Sequence, residues 1–463
     1  MSNIFSNSKK KAVDIHLFSK SGLKAWSRSQ SDTVKKWIKT TGFVANPGDY
    51  CLIPSREGSI NEIILGVSEP FEIWDTGNLA RSLPRGHYQF VGIKNAGQAA
   101  LASLGWALGS YRYDRYRKPL KLNTTLKIPS NCDSGYVTKM ANATCFVRDL
   151  INTPAEDLGP TELEFQVRNL ADRYEANVRV VKGKQLLSRN FPAIYAIGRA
   201  SDDPPRLINL SWGNPKDPKV TLVGKGVCFD TGGLDIKTAS GMKFMKKDMG
   251  GAAHVLGLAM LLMEANLKLR LRVLIPAVEN SVSANSIRPM DVLNTRSGKT
   301  IEIGHTDAEG RVILADALYE AARERPDLIL DFATLTGAAR IALGSELPAL
   351  FTNNEKLAEV ILAASYNSQD PVWRLPLWSD YRRHIIGKTA NLTNSADTGF
   401  GGAITAALFL NEFIQTGTPW AHLDLMAWNM TTRRGRPEGG EAMGLRAIYH
   451  AIRDWLEPPV TKL

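Results

Sequence analysis

The sequence predicts an α/β fold of two domains, and three observations support this. The chain has 463 residues, more than a single hydrophobic core usually serves. Strand-like apolar runs alternate with helical stretches, which is typical of a largely parallel sheet flanked by helices. A stretch rich in Pro, Asn and Ser, residues 118–133, separates a shorter part from a longer one. We therefore predict a small α/β domain with linker over residues 1–135, and a larger α/β domain with a mostly parallel mixed sheet over residues 136–463.

The elements predicted in the first part are short. Apolar runs at residues 50–54, 62–67 and 88–93 predict strands, and an Ala- and Leu-rich stretch at residues 97–109 predicts a helix. Residues 111–118 interleave tyrosine with arginine, as on a surface that binds single-stranded nucleic acid. A structural role at the domain edge is the interpretation we favour for this segment.

The second part alternates strand-like and helical runs. Its predicted strands lie at residues 178–181, 207–210, 220–223, 271–276 and 328–332. Its predicted helices lie at residues 161–174, 251–265 and 312–324. This alternation predicts parallel strands joined by helices that cover both faces of the sheet.

The net charge of +11 belongs almost entirely to the first part of the chain. Residues 1–150 hold 21 Lys and Arg against 11 Asp and Glu, whereas the remainder holds 36 against 35. A solvated basic surface is the interpretation we favour. An acidic partner, such as nucleic acid or an anionic membrane, is the alternative.

Cysteine usage and hydropathy indicate the compartment. The four cysteines have no paired spacing, which is typical of reduced thiols in a cytosolic protein. The N-terminal residues lack the apolar stretch of a secretory signal. The longest apolar run, residues 255–263, is too short to span a bilayer. We therefore expect a soluble cytoplasmic protein with no membrane segment.

The segment His-Thr-Asp-Ala-Glu-Gly-Arg at residues 305–311 is the most informative feature of the sequence. It places Asp307 and Glu309 two residues apart, just before a helical run. In an extended segment, residues i and i+2 share one face. The two carboxylates are therefore expected to close on one cation.

A second block makes this pattern much more specific. It reads Val-Gly-Lys-Gly-Val-Cys-Phe-Asp-Thr-Gly-Gly-Leu-Asp-Ile-Lys over residues 223–237 and ends in Lys-Lys-Asp-Met-Gly-Gly-Ala-Ala over residues 246–253. The acids of the two blocks are Asp230, Asp248, Asp307 and Glu309. All four fall at ends of predicted elements, where open α/β sheets place their ligand sites. Converging carboxylates repel one another, and two divalent ions would neutralise four of them.

At these residues the chain resembles the leucyl aminopeptidases, the cytosol aminopeptidases of peptidase family M17. This dinuclear-metal family removes N-terminal residues from peptides. The resemblance covers essentially all of residues 147–450, whereas residues 1–140 match only diffusely. It implies a macro-domain-like N-terminal domain, an exopeptidase activity on peptides with a free N-terminus, and a homohexamer whose active sites face an internal cavity.

The resemblance also implies a ligand set for two divalent cations. Asp230 and Glu309 would bridge the two ions. Asp307 would complete the tighter site, and Asp248 with neutral Lys225 would complete the more exchangeable one. Mn²⁺ and Zn²⁺ are the expected metals, with Mg²⁺ and Co²⁺ as alternatives, because residue types do not rank them.

Further roles follow from the same resemblance. Lys237 matches the lysine that stabilises the tetrahedral gem-diolate as an electrophile. Arg311, at a predicted helix start, matches the arginine that holds a bicarbonate ion as proton shuttle. The residues expected to contact the substrate are Met245, Thr334, Leu335 and Gly337. For Met245, a place in the hydrophobic core is an equally weighted alternative.

Four positions depart from the family pattern, and none removes a ligand. Cys228 stands for the usual Thr, Thr231 for Ser, Asp235 for Ser and His305 for Asn. Asp235 and His305 lie close in sequence to the expected ligands. They are therefore expected to alter the hydrogen bonds around the metals.

Two other functions are alternatives. Asp-Thr-Gly occurs at residues 230–232 and again at 397–399, and aspartic proteases pair two aspartates. The second copy follows no apolar strand, however, and the predicted fold is α/β. A DNA-binding or scaffolding role of the basic first domain is the alternative from another class, although no DNA-reading motif is present.

Overall fold

The computed structural model describes residues 4–6, 11–119 and 121–457. The chain divides into two compact units, residues 1–145 with 431–438, and residues 146–430 with 439–463. The predicted boundary between residues 135 and 136 falls in the first turn of a helix that spans Ser134–Asn152. That boundary stays a prediction.

The first unit contains a five-stranded sheet. Its strands are β1 (Val13–Phe18), β2 (Tyr50–Pro54), β3 (Ile60–Gly66), β4 (Gly86–Val91) and β5 (Thr124–Lys127). Its helices are α1 (Lys20–Arg28), α2 (Asp32–Thr41), α3 (Leu79–Ser82), α4 (Ala96–Gly109) and the first part of α5 (Ser134–Asn152). The strand order is β2-β3-β1-β4-β5, with only β2 antiparallel to its neighbour.

Two features of this unit bear on the predictions from its sequence. The side chain of Trp106 on α4 is fully buried, and its ring centroid lies 6.0 Å from that of Tyr88 and 6.3 Å from that of Phe90 on β4. These aromatic contacts fix the apolar helix against the sheet. The stretch predicted as a linker, residues 118–133, contains β5, and the linker prediction is therefore wrong for Thr124–Lys127. The reason is that the backbone of β5 pairs with β4 and extends the sheet.

The second unit contains the remaining elements. Its strands are β6 (Asn177–Lys182), β7 (Arg206–Trp212), β8 (Lys219–Gly224), β9 (Gly226–Asp230), β10 (Arg270–Asn280), β11 (Val292–Asn294), β12 (Thr300–Glu302), β13 (Leu328–Ala333), β14 (Ala349–Thr352), β15 (Trp373–Arg374), β16 (Leu392–Thr393), β17 (Trp420–Asp424), β18 (Trp428–Asn429) and β19 (Gly439–Gly440). Its helices are α6 (Pro160–Tyr174), α7 (Gln185–Ser188), α8 (Pro192–Gly198), α9 (Ala239–Met242), α10 (Gly250–Glu264), α11 (Glu309–Arg323), α12 (Gly337–Leu343), α13 (Glu355–Ser368), α14 (Gly402–Asn411) and α15 (Leu445–Leu456).

A nine-stranded mixed sheet organises this unit. Its order is β15-β14-β17-β13-β8-β10-β7-β6, and β9 pairs with β10. The neighbours β17, β13, β8, β10 and β9 all run parallel, whereas β6, β7 and β14 each have an antiparallel neighbour. The predicted two-domain α/β class with a mostly parallel mixed sheet is therefore confirmed. The carboxyl ends of five parallel strands open on one edge of the sheet.

Burial explains why these segments form a layered structure. All six residues of β13 are buried, as expected for a strand covered on both faces. Helix α10 is apolar on all sides and is buried from Gly250 to Met263, and it packs against β8 and β13. All four cysteines are free thiols. Within the described ranges, no helix is both long and apolar enough to cross a membrane.

Candidate metal centre

Polar residues gather where the parallel strands of the large sheet end. They are Lys225 after β8, Asp230 at the end of β9, Asn280 at the end of β10, Thr334 after β13 and Asp424 at the end of β17. Because parallel neighbours end at one edge, residues far apart in sequence become neighbours in space. All of them except Asn280 line a cavity of about 580 Å³.

The remaining acids come from segments that lead into helices. Asp248 lies on the 3-10 helix Met245–Met249, immediately before α10. Glu309 is the first residue of α11, and Asp307 lies in the turn before it. The extended conformation predicted for residues 307–309 is therefore wrong, and a glutamate at this position favours the earlier helix start. The carboxylate oxygens of Asp230, Asp307 and Glu309 still lie within 4.8 Å of one another.

Lys225 holds one pair of these carboxylates. Its Nζ lies 2.6 Å from Asp248 Oδ2 and 3.0 Å from Glu309 Oε1, and it donates a hydrogen bond of 3.1 Å to the carbonyl oxygen of Thr334. A Cβ on Gly310 would lie 2.5 Å from Lys225 Cε. Glycine at position 310 therefore makes room for this lysine at the start of α11.

Lys237 holds the other pair. Its Nζ lies 2.8 Å from Asp230 Oδ2 and contacts Asp307 Oδ1. The second oxygen of Asp230 accepts hydrogen bonds of 2.9 Å from the Asn280 side-chain amide and from the Gly232 N–H. We call the six residues of these two groups the acidic cluster: Lys225, Asp230, Lys237, Asp248, Asp307 and Glu309.

Burial and mutual repulsion disturb the titration of the acidic cluster. Burial, reinforced by neighbouring carboxylates, raises the pKa of Glu309 to about 8 and that of Asp230 to about 6. Burial alone would raise the pKa of Asp248, but the charge of Lys225 holds it below its ordinary value. Burial alone would lower the pKa of Lys225, and the surrounding carboxylates raise it. The two lysines therefore do not neutralise the four carboxylates, and the cluster favours the binding of further positive charge.

Unpaired oxygens show that the cluster fits divalent cations. Four of its buried oxygens make no hydrogen bond to the described residues: Asp248 Oδ2, Asp307 Oδ1, Glu309 Oε1 and Glu309 Oε2. The lysines contact the first three as ion pairs, whereas Glu309 Oε2 has no partner of either kind in the described part of the chain. Buried carboxylate oxygens without donors are costly unless a cation binds them. Four carboxylates and one amine form an oxygen-rich donor set of the kind that divalent metals accept.

Arg311, on α11, is a buried cation whose guanidinium has no bonding partner among the described residues. Its side chain is in no hydrogen bond or ion pair with the described residues, and its Nε is fully buried. Burial lowers its pKa to about 10, against the charges of Asp424 and Glu309, which raise it. The guanidinium therefore stays charged at neutral pH and is suited to an anion. Arg311 is not among the residues that line the cavity.

The residues predicted to contact the substrate all line the cavity: Met245, Thr334, Leu335 and Gly337. Thr334 Oγ1 donates a hydrogen bond of 2.7 Å to Asp248 Oδ1. Asp424 accepts hydrogen bonds from the N–H groups of Leu335 and Thr336, at 3.0 and 3.2 Å. The loop after β13 is thus anchored to the acidic cluster at one end and to β17 at the other.

Asp235 and His305, two departures from the family pattern, hold the turn that carries Asp307. Asp235 Oδ2 accepts a hydrogen bond of 2.8 Å from the Thr306 N–H and one of 3.2 Å from Thr306 Oγ1. His305 Nδ1 accepts a hydrogen bond of 3.1 Å from the Asp307 N–H and lies 3.6 Å from Asp235 Oδ2. A third departure, Thr231, donates to the carbonyl oxygen of Asn280 at 2.7 Å.

Several residues of the site were not predicted from the sequence, among them Asn280, Lys247, Arg340 and Asp424. Asn280 and Asp424 both end apolar strands, and that signal could have identified them. Lys247 adjoins Asp248 but looks like a surface lysine in the sequence. Burial is the main cause that lowers its pKa to about 8. Arg340 carries no sequence signal, because only the fold places α12 beside the cavity.

The structure does not support an aspartic-protease pair. Asp397, in the second Asp-Thr-Gly copy, is exposed and forms an ion pair of 3.0 Å with Lys388. Asp230, in the first copy, is buried among the carboxylates and lysines of the acidic cluster. The two aspartates therefore lie in different surroundings and do not share a proton.

The family of the chain follows from comparison with known proteins. The cytosol aminopeptidase family catalytic domain matches residues 145–449, and the M17 aminopeptidase N-terminal domain matches residues 13–129. The chain belongs to the cytosol aminopeptidase family. The resemblance to leucyl aminopeptidases is thereby confirmed, and the chain is a metallo-exopeptidase, a hydrolase of the M17 family.

Individual family members resemble the chain over most of its length. A probable cytosol aminopeptidase of Clostridium perfringens is 36% identical over 378 residues, which cover 78% of this chain and 76% of that protein. The crystal structure of the cytosol aminopeptidase from Coxiella burnetii has a TM-score of 0.94 and 50% identity, covering 97% of this chain and 98% of that one. The bottromycin maturation enzyme BotP in complex with Mn has a TM-score of 0.88 and 34% identity, covering 97% and 100%.

Proposed function

We propose that the protein removes the N-terminal residue from peptides with two divalent cations held in the acidic cluster. The observation that carries this proposal is the set of buried carboxylates, in which Glu309 Oε2 has no partner among the described residues. Asp230 and Glu309 would contact both cations. Asp307 would complete the tighter site, and Asp248 with Lys225 the more exchangeable one. When bound, two such cations supply a nucleophilic water at neutral pH and polarise the scissile carbonyl.

The identity of the metals is part of the proposal. BotP, which is similar to this chain, was solved in complex with Mn. We therefore propose Mn²⁺ first, with Zn²⁺, Mg²⁺ and Co²⁺ as alternatives. Lys225 would join the ligands only as a neutral amine, because an ammonium group has no lone pair.

Lys237 is assigned to transition-state stabilisation. Its side chain lines the cavity, and its ammonium group lies beside Asp230 and Asp307, two of the carboxylates proposed to hold the cations. A fixed positive charge stabilises the negative charge that develops on the scissile carbonyl oxygen. This is the role of an electrophile, and it requires no proton transfer from Lys237.

Arg311 is assigned to binding a bicarbonate ion, whose chemistry is proton transfer. The buried Nε without a protein partner supports an anion at this position. The position of Arg311 in the first turn of α11 supports it further, because helix N-termini favour negative charge.

The loop after β13 is assigned to the N-terminal residue of the substrate. Thr334, Leu335 and Gly337 line the cavity together with Met245. Asp424 holds the backbone of this loop through two N–H groups, which fixes the wall against which the substrate would lie. A preorganised wall of this kind lowers the entropy cost of orienting the peptide.

Hydrolysis of aminoacyl p-nitroanilides tests the function. Metal-free protein is reconstituted with Mn²⁺, Zn²⁺, Co²⁺ or Mg²⁺, and we expect release of p-nitroaniline with at least one metal. N-acetylation of a good peptide substrate should abolish cleavage, because the free α-amine would bind at the loop after β13, beside the proposed metal ligands. Equal cleavage of the acetylated peptide would mean an endopeptidase. No hydrolysis with any metal would contradict the proposal.

Metal analysis tests the dinuclear site separately. Reconstituted protein should bind two ions per subunit. Asp307→Asn should lose occupancy, and Asp248→Asn should lose it mainly at the more exchangeable site. A stoichiometry of one or less in excess metal would contradict two sites.

Assembly and location are proposed from the family resemblance. We expect a homohexamer in a cytoplasmic compartment, and sedimentation equilibrium would test the mass. A monomer at micromolar concentration would contradict the assembly. Nucleic-acid binding by the basic first domain stays an untested alternative, for which a salt-dependent gel shift is the measurement.

A further inference from the structure

Two cationic side chains line the cavity outside the acidic cluster. Lys247 lies on the 3-10 helix Met245–Met249 and is 5% exposed. Arg340 lies on α12 and is exposed at the cavity. We call Lys247 and Arg340 the basic wall.

The basic wall has no acidic partner within the described structure. The ammonium group of Lys247 makes no hydrogen bond and no ion pair, although the residue is more than nine-tenths buried. Arg340 donates only to Met426 Sδ at 3.9 Å, and a thioether is a weak acceptor. A carboxylate bound in the cavity would gain charge-assisted hydrogen bonds from these two groups.

The acids that line the cavity are already committed elsewhere. Asp230 and Asp307 pair with Lys237, and Asp424 accepts from the backbone of the loop after β13. Asp248 pairs with Lys225. The charge of Asp248 attracts Lys247, but no cavity acid among the described residues forms an ion pair with the basic wall, so a bound ligand would supply its direct counter-ion.

The basic wall lies on the elements assigned to the first substrate residue. Lys247 follows Met245 by two residues on one 3-10 helix, and Arg340 follows Gly337 by three residues on α12. Apolar side chains complete the lining, among them Phe244, Leu347, Leu425, Met426 and Met430. A side chain with a short apolar stem and a terminal carboxylate matches this combination of apolar lining and cationic groups.

We propose that the basic wall selects peptides whose N-terminal residue is glutamate or aspartate, and that Lys247 and Arg340 bind its side-chain carboxylate. The proposal rests on the aminopeptidase function and names its substrate class. The α-carboxylate of a dipeptide has the same chemistry. The side chain is the source that we propose, because the wall shares its elements with Met245 and Gly337.

A comparison of isosteric substrates isolates the charge. The substrates are Glu-Ala-amide and Gln-Ala-amide, with Leu-Ala-amide as reference, and kcat/KM is measured on the metal-loaded enzyme. We expect a preference for Glu over Gln of about tenfold or more, as for a partly buried hydrogen bond to a charged group. In Arg340→Gln and Lys247→Gln the ratio should fall toward one. Lys243→Gln, an exposed lysine outside the cavity lining, should keep the wild-type ratio.

The Arg340→Gln variant is expected to fold normally, because Arg340 is exposed and its substitution leaves no buried group unpaired. The test therefore does not depend on the folding of Lys247→Gln alone. Equal kcat/KM for Glu and Gln in the wild type, with Leu-Ala-amide hydrolysed, would overturn the proposal and leave the aminopeptidase function standing. A preference for Leu-Ala over Leu-Ala-amide that Arg340→Gln abolishes, without a Glu preference, would assign the wall to the C-terminal carboxylate and also overturn it. No hydrolysis of any substrate would overturn both the function and the substrate class.

Discussion

The acidic cluster and the basic wall contribute to one cavity, but they differ in how their charges are paired. The lysines of the acidic cluster form ion pairs with its carboxylates, whereas the side chains of the basic wall form none with the described residues. Lys225 is 3% exposed and lies within 3.0 Å of two carboxylates. Lys247 is 5% exposed and has no counter-ion among the described residues. The fold thus raises the pKa of the first lysine and lowers that of the second. Two buried lysines of one site therefore have different tasks: one balances fixed acids, and the other is available to a ligand.

The largest expected effect concerns the acidic cluster. Glu309→Gln removes the carboxylate that would contact both cations. We expect a loss of kcat/KM on the order of 10³ or more, with metal content below two per subunit. Glu359→Gln, an exposed acid on α13, is the matched control and should leave both unchanged. Full metal occupancy in Glu309→Gln would remove Glu309 from the ligand set.

Stability of the metal-free protein tests the comparison of the two lysines directly. Lys225→Met leaves buried carboxylates without their cation and should lower the free energy of unfolding by about 3–5 kcal/mol. Lys247→Met replaces an unpaired buried ammonium group with an apolar group of similar length and should raise it by roughly 1–3 kcal/mol. Both are measured by urea unfolding in excess chelator. If both substitutions change the free energy of unfolding in the same direction, the two lysines have equivalent surroundings and the comparison fails.

Variants of Lys237 and Arg311 distinguish two roles, the stabilisation of charge in the transition state by Lys237 and the binding of an anion by Arg311. Lys237→Ala should lower kcat by roughly 10²-fold with a modest change in KM and retained metal, because its charge acts on the transition state. Wild-type activity should rise when bicarbonate is added to carbonate-depleted buffer, whereas Arg311→Ala should be slow and insensitive to it. An equal bicarbonate response in both proteins would place the anion elsewhere.

The smallest expected effect comes from Asp235 and His305. The double change Asp235→Ser and His305→Asn replaces both with the residues usual in the family, and it alters the contacts that hold Thr306 and Asp307. Metal affinity should change by roughly tenfold, while the peptide specificity set by the basic wall persists. Unchanged affinity would show that the turn before α11 is held by other contacts.

The sequence predicts the α/β class, the main strands of the large sheet and the residues proposed for the metal centre. The strands at residues 207–210 and 220–223 lie within β7 and β8, because their apolar runs leave few alternatives to burial. The joint spacing of the two blocks predicts the four acids. It does not predict the start of α11 at Glu309, because the apolar residues that indicate this helix begin at Val312.

The pairing of these charges depends on the tertiary structure. Lys225 meets Glu309, and Lys237 meets Asp307, across more than 60 positions of the chain. Such pairs arise because parallel strands and the turns beside them end at one edge of the sheet, an order that local patterns do not encode. The basic wall also consists of residues that are distant in the sequence and that the fold brings to one cavity. Lys247 and Arg340 are ordinary charged residues in the sequence, and the fold alone places them beside one cavity without a counter-ion.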